Sequence, residues 1–397
     1  MNDTQQASIR NISRLSFCFN VDYKKKLSIK VERENIMTDD TKHVLVKLCK
    51  EKNPIFVLDV YNHIFRYFFA HKDLSVTLED GTRVPTGHLF GFTRNILWLK
   101  EKFPDCAIVL ANDGYDQTRR DIDPNYKAER VHEIEPGEYV LDIFKMCSLA
   151  DDVYVVYDKK YEADDAAASV VRTIKHLCNK FSIDKQIYLL SSDKDWWQLI
   201  DDGRDAHCKI STVKKWGAGE KWFEEAQIID EAKVGEEFNG TKPENLLKFR
   251  AITGDSSDNL KGYYRFYKKN AAIIAENFDY DIENNKLVLR EGCEMRASWD
   301  KFLNTVTSDM SVFKKNYEIM SLKDFDFDII PISDRVSDED ISHIVDTLET
   351  FKLYYYMQHV TEFSKYADKI KAAVAEKGAG QDVGDQTTVE CDLNDLL

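Results

Sequence analysis

Four short apolar runs set the rhythm of the chain from residue 54 onward: Ile55-Phe56-Val57-Leu58, Ala107-Ile108-Val109-Leu110, Val153-Tyr154-Val155-Val156 and Ile187-Tyr188-Leu189-Leu190. Continuous apolar runs of this length, without alternation, suit strands buried on both faces of a helix-covered parallel sheet. Helix-length segments lie between them. Residues 86 to 102 place Leu89, Phe92, Ile96 and Leu99 on one face, a second helix falls near 138 to 150, and Glu162 opens a long amphipathic helix running to about 181. Strands alternating with such helices predict an α/β fold: a mainly parallel central sheet, flanked by helices and joined by right-handed crossovers.

The pattern is different at both ends. Residues 1–50 carry basic clusters such as Lys24-Lys25-Lys26 and no sustained helical period, so a flexible basic leader is expected, with Met37 as an alternative start of translation. After Trp222 the chain reads as mostly helical. Thr241-Lys242-Pro243-Glu244 resembles a capping box, and helical segments follow near 268–278, 296–320 and 338–375. Residues 378–397 are Gly-rich, then acidic, and close on Asp392-Leu393-Asn394-Asp395-Leu396-Leu397, which predicts a disordered acidic tail with an apolar tip. The expected division is a leader over 1–50, an α/β core over 51–235 with a polar connection at about 114–150, a helical region over 236–377 and the tail over 378–397.

With 397 residues and 43% hydrophobic content the chain can build a sizeable core. Its net charge of -15 argues against a general binder of polyanions, unless many of the acids are committed to metal ions. The eight cysteines form no CxxC pair and no zinc spacing, which predicts reduced thiols in a cytosolic protein. No apolar stretch approaches the ~20 residues a bilayer span requires, and no signal-peptide core is present, so a soluble protein without membrane contact is expected.

Nine acids change the picture. Asp59, Asp113, Glu162, Asp164, Asp165, Asp193, Asp195, Asp255 and Asp258 stand at predicted strand ends and helix starts. Such positions gather in the crevice outside the carboxyl ends of a parallel sheet. Like charges crowded there require protonation or neutralising cations. Glu162-Ala163-Asp164-Asp165 alone is equally well explained by the helix dipole. Three acidic clusters together with Asp59 and Asp113 are not. Oxygen-only ligands point to Mg²⁺ or Mn²⁺, and two such ions about 4 Å apart suit in-line displacement at a phosphodiester. Between Asp113 and the third strand, Arg119, Arg120, Tyr126, Lys127 and Arg130 supply what a phosphate backbone and an unstacked base need. A solvated charged loop is the plainer reading of that segment, but beside a metal site Lys127 or Arg130 could offset charge on the scissile phosphate.

In chain order, Asp113-Gly114, Arg119-Arg120-Asp121, Tyr126-Lys127-Ala128-Glu129-Arg130, Glu162-Ala163-Asp164-Asp165, Ser192-Asp193-Lys194-Asp195 and Gly254-Asp255-Ser256-Ser257-Asp258-Asn259 resemble the 5′ nuclease family over residues 54 to 280. That family includes flap endonucleases and the 5′ nuclease domain of bacterial DNA polymerase I. Ser191-Ser192-Asp193 and Asp324-Phe325-Asp326-Phe327 resemble the phage ribonuclease H of the T-even type, which removes RNA primers from lagging-strand fragments. The resemblance implies a PIN-like core and a 5′-3′ exonuclease or flap endonuclease with RNase H activity, leaving a new 5′-phosphate end. It implies two Mg²⁺ ions, replaceable by Mn²⁺: one held by Asp59, Asp113, Glu162 and Asp164, the other held or oriented by Asp165, Asp193, Asp195 and Asp258, with Asp255 close by. Lys127 and Arg130 would contact the scissile phosphate, with Arg119, Arg120 and Tyr126 binding substrate beside them. The implied substrates are DNA and RNA-DNA hybrid with a 5′ flap or end, acted on by a monomer in the host cytoplasm. The acidic tail with its apolar tip reads equally as a solubilising segment or as a peptide that docks on a sliding clamp, and a single-stranded DNA-binding protein is the other expected partner.

One stretch departs from the family. Where a helix-hairpin-helix would carry glycines, the chain reads Gly262-Tyr263-Tyr264-Arg265-Phe266-Tyr267-Lys268-Lys269. Bulky residues cannot match a glycine's close backbone approach to phosphate; Arg265, Lys268 and Lys269 are the residues that could bind through side-chain charge instead. Two other readings are open. A haloacid-dehalogenase-like phosphatase would need an acid two residues after Asp59, where Tyr61 stands. A non-catalytic DNA-junction binder of the same fold would leave the full set of acids unexplained.

Overall fold

The computed structural model describes residues 38–78, 80–129, 134–204, 206–215 and 225–378. Seven strands form the central sheet: β1 Ile55–Asp59, β2 Ala107–Ala111, β3 Val153–Val156, β4 Lys185–Leu190, β5 Cys208–Lys215, β6 Gln227–Ile229 and β7 Ile329–Pro331. Their spatial order is β7-β3-β2-β1-β4-β5-β6. The five inner strands run parallel, and β6 and β7 close the two edges antiparallel. This is the helix-flanked, mainly parallel sheet that the alternating pattern predicts. Successive strands step outward from β1 in one direction to β3 and then cross to β4, so the order reverses between β1 and β4, where open α/β sheets have their ligand crevice.

Successive side chains of β1 enter different cores. Phe56 and Leu58 face a layer built from the helices Val60–Ala70, Gly87–Lys102, Val140–Cys147 and Asp338–Thr350, whereas Ile55 and Val57 face the helices Asp39–Glu51 and Ala163–Phe181. A third core gathers Trp197, Phe238, Phe249, Ile274 and Phe313 around the helices Leu246–Thr253, Lys268–Asn277 and Met310–Met320. None of the described helices is long and apolar enough to cross a membrane.

Several elements differ from the sequence reading. Asp39–Glu51 is helical although no sustained period marks it; Thr38 caps it, and Val44, Leu45, Leu48 and Cys49 form a short buried stripe. Strands β5, β6 and β7 were not expected. The last has three residues, in a region that reads as helical, and it pairs with β3 from far along the chain. An edge position also tolerates Pro331, which has no N–H to donate. Thr241 does not cap a helix: its hydroxyl donates 2.7 Å to the Phe238 carbonyl, and the helix begins only at Leu246, after the 3₁₀ turn Pro243–Asn245. A hairpin, Phe278–Asp281 with Lys286–Leu289, interrupts the helical region.

Candidate metal centre

Asp59 ends β1 and caps the helix Val60–Ala70, accepting from the Asn62 amide at 3.0 Å. Its other oxygen accepts from the Ser191 hydroxyl at 3.0 Å, which ties it to the end of β4. Two residues beyond Ser191, Asp193 caps the 3₁₀ helix Lys194–Leu199 by accepting from the Asp195 amide at 2.8 Å. Asp113, just past β2, accepts from the Ala163 amide at 3.0 Å, and Asp164 in the first turn of that helix accepts from the Trp196 indole at 2.6 Å. Strand ends and helix starts thus fix Asp59, Asp113 and Asp193 through the backbone amides that those termini leave over, and a side chain fixes Asp164.

The acids form two groups that share Asp195. One carboxylate oxygen from each of Asp164, Asp193 and Asp195 lies within 4.8 Å of the others, and the same holds for Asp195, Asp255 and Asp258. Burial raises the Asp59 carboxyl to about 7, with Asp113 and Asp193 adding to the rise. Burial likewise holds Asp164 well above the usual carboxylate range, reinforced by Asp193. Asp195 is also raised to about 7 by burial; Arg250 pulls against the shift, and Asp193 and Asp258 push with it. Such a crevice favours either protons or cations. An all-carboxylate donor set suits hard divalent ions of the Mg²⁺ or Mn²⁺ type, so the residues present fit the implied metal.

Two of the predicted ligands are engaged elsewhere. Asp165 is fully buried, and both of its oxygens accept from Arg119 at 2.8 Å, while the Lys323 amide donates to one of them at 2.8 Å. Glu162 accepts from Arg119 at 3.0 Å, Tyr126 at 3.0 Å and Lys127 at 2.8 Å. Burial would push Glu162 up, but Lys127 and Arg119 outweigh it and bring the carboxyl down to about 2. Asp165 is therefore corrected from metal ligand to buried ion-pair partner.

The basic segment also needs correction. Arg119 is 2% exposed and Tyr126 3% exposed, so neither is presented to a substrate. Arg119 instead knots Glu162 and Asp165 to the carbonyls of Ile319 and Ser321, with Asp116 also beside it. Lys127 is half-buried; its amide donates 3.2 Å to the Asp258 carbonyl, which links this segment to the second acidic group. Burial works against its charge, but Glu162 raises the ammonium pKa well above normal. Arg120 remains partly exposed, its guanidinium 4.7 Å from the exposed Tyr115 ring. Arg130 lies outside the described residues. Arg265 is exposed on the connection that leaves Asp258, and Lys268 and Lys269 are exposed at the start of the helix Lys268–Asn277 that follows.

Three residues absent from the sequence reading complete the electrostatics. Arg250 is buried, 2.7 Å from Asp195, and pairs with Asp255 as well. Lys323 and Asp116 pair beside Arg119. Arg250 had a sequence signal: it interrupts the apolar stretch Phe249-Arg250-Ala251-Ile252, and a cation inside a packed helix needs acidic partners.

The pattern of the 5′-3′ exonuclease, N-terminal resolvase-like domain matches residues 54–239. The chain is similar to DNA polymerase I of Chloroflexus aurantiacus, 27% identical over 271 residues, which are 65% of this chain and 27% of the polymerase. It thus spans about a quarter of that relative. It is also similar to the 5′-3′ exonuclease of Bacillus subtilis, 25% identical over 59% of this chain and 75% of that protein. The 5′-3′ exonuclease of Aquifex aeolicus is 21% identical over 79% of this chain and 98% of that protein. Among solved structures, the T5 D15 protein co-crystallised with metal ions shares 18% identity at a TM-score of 0.47, over 78% of this chain and 98% of that one.

Proposed function

Because the chain belongs to the 5′ nuclease family, we propose that it is a divalent-metal-dependent phosphodiesterase acting near 5′ ends, as a 5′-3′ exonuclease and flap endonuclease. RNA primers paired to DNA on the lagging strand, together with the adjacent DNA, are its substrates, so RNase H activity is part of the same reaction. The observation that carries this reading is the meeting of Asp164, Asp193 and Asp195 in a crevice that raises Asp59 to about 7.

Asp59, Asp113, Asp164 and Asp193 would hold one Mg²⁺ ion, and Asp195, Asp255 and Asp258 the second. When bound, such ions supply positive charge against the phosphate oxygens and a deprotonated water at neutral pH. The chain's own work is orientation. Asp193 fixes Asp195 through its amide, Ser191 holds Asp59, and Trp196 holds Asp164. Glu162 and Tyr126 hold the Lys127 segment beside the second group, where its ammonium can reach a substrate phosphate once Glu162 releases it.

Changing Asp193→Asn is expected to abolish Mg²⁺-dependent cleavage of a 5′-labelled flap and of an RNA-DNA hybrid while the circular dichroism spectrum stays unchanged. Full cleavage by that variant refutes the metal assignment. The tail beyond 378 lies outside the described residues. We assign it to a hydrophobic groove on a replication sliding clamp, and place a single-stranded DNA-binding protein beside a monomeric enzyme in the cytoplasm. Deleting 386–397 should remove clamp stimulation of cleavage, and equal stimulation with and without the tail rules out docking.

A further inference from the structure

The stretch over 262–269, which ends in the first residues of the helix Lys268–Asn277, carries four aromatic residues, and they divide evenly. Tyr263 and Phe266 turn inward onto the third core, and the Tyr263 hydroxyl donates 2.6 Å to the Asp309 carbonyl. Tyr264 and Tyr267 turn outward, 82% and 76% exposed. Packing accounts for the first pair and leaves the second without a structural role. Tyr264 lies beneath the Arg265 guanidinium at 5.0 Å.

The charges around these rings are unusual for so acidic a chain. Lys261, Arg265, Lys268 and Lys269 are all exposed, and among the described residues none forms an ion pair; Lys268 feels Glu237 only at longer range. Neighbouring cations are paired: Lys194 with Glu237, Lys248 and Arg290 with Asp279, Lys315 with Asp123. Four uncompensated cations in nine residues, interleaved with two open rings, are complementary to a nucleic-acid strand.

Gly262 cannot do this work through its backbone. Gly262, the glycine of the stretch, is pinned inside: a Cβ there would stand 2.2 Å from the Thr253 carbonyl, and the next amide donates to Ile252 at 3.0 Å. Close approach of the Gly262 main chain to a duplex phosphate is therefore not on offer, whereas open rings stack on any base that is free of its partner. The inward pair also holds the loop in place, so stacking costs little further ordering.

We propose that this loop grips an unpaired strand, with one base stacking on the Tyr264 face that Arg265 leaves open, a second on Tyr267, and the four cations along the phosphates. The inference rests on the nuclease reading for its biological setting, and it adds a single-strand grip just past Asp258.

The test uses the full chain in EDTA, where cleavage is blocked, and fluorescence anisotropy with a labelled oligothymidylate and a labelled blunt duplex. The double change Tyr264→Ala with Tyr267→Ala should weaken oligothymidylate binding about 10-fold or more and move duplex binding less than about two-fold. Phe at both positions should restore the single-strand affinity, which a merely structural role of the hydroxyls would not allow. Unchanged oligothymidylate binding in the Ala variant overturns the proposal, and so does an equal loss on the duplex. A protein that cleaves nothing yet shows the tyrosine effect refutes the nuclease reading alone; normal cleavage without a tyrosine effect refutes only the grip.

Discussion

The crevice lined by Asp59, Asp164, Asp193 and Asp195 and the knot around Arg119 meet at the first turn of the helix Ala163–Phe181, and both bury several acids. In the knot every carboxylate has a cation. Arg119 spans Asp165 with two bonds of 2.8 Å, and with Lys127 it brings Glu162 down to about 2. In the crevice the acids face one another, and burial raises Asp59 to about 7 and Asp164 well above the usual range. Asp164 and Asp165 are consecutive in the chain, yet Asp165 takes two bonds from one guanidinium, whereas Asp164 accepts from the Trp196 indole and feels Lys127 only at longer range. Acid density alone does not single out a candidate metal site; acids left facing one another under burial do so better.

Exchanging one member of each region should separate the two most widely. Asp164→Asn keeps an oxygen for the Trp196 indole, so the fold is spared, while a ligand charge is lost. Cleavage should fall by a factor on the order of 10³, and the metal-free protein should melt no lower than wild type, because a like charge has been removed. A lower melting temperature would mean that the crevice is held together as the knot is. Arg119→Met should do the reverse, destabilising the protein by about 3–5 kcal/mol in urea unfolding, since Asp165, Glu162 and Asp116 lose their shared partner in a dry interior. A variant as stable as wild type would show that Lys127 and Lys323 suffice to hold those acids.

The same contrast marks where the sequence was readable. Strands β1 to β4 announce themselves as apolar runs, and the acids that follow them are placed by the topology of a parallel sheet, so their convergence follows from local pattern alone. Compensation does not. Arg119 and Arg120 are identical in type and adjacent, and only the pitch of the short helix Gln117–Ile122 sends the first inward and leaves the second partly exposed. Asp165 looked like its neighbours because its partner lies 46 residues earlier and its amide donor, Lys323, 158 residues later. Strand β7 is hidden for a related reason: three residues carry no period, and pairing with β3 decides them. What a local window cannot show is a long-range partner.

Protons should compete with metal in the crevice. Asp59 and Asp195 stand near 7 when folded against a usual value of 3.8, so between these values the folded protein binds more protons than the unfolded chain. Stability without metal is therefore fully present below the unfolded value and is lost as pH rises through about 7. Thermal melts in EDTA should fall by several degrees from about pH 5.5 to about pH 8, and saturating Mg²⁺ should narrow that gap, because binding an ion takes over from the proton. A flat profile in EDTA would mean that the crevice is compensated after all.

Arg250 lies between the two cases and gives the finest test. It sits 2.7 Å from Asp195, which both groups share, and pairs with Asp255 as well, so it holds two members of the second group and one of the first. The first group should then bind a divalent ion more tightly, because an ion at the second must displace or share the guanidinium. Titrating Mn²⁺ calorimetrically into wild type should resolve a tighter and a weaker step. Arg250→Met keeps the apolar stem and removes the charge, leaving Asp195, Asp255 and Asp258 to draw on the ion alone. The weaker step should tighten about 10-fold, as expected for a charge interaction of roughly 1–2 kcal/mol in a partly screened site, while the tighter step moves little. A weaker step that loosens instead would show that Arg250 positions the two carboxylates for the ion rather than competing with it.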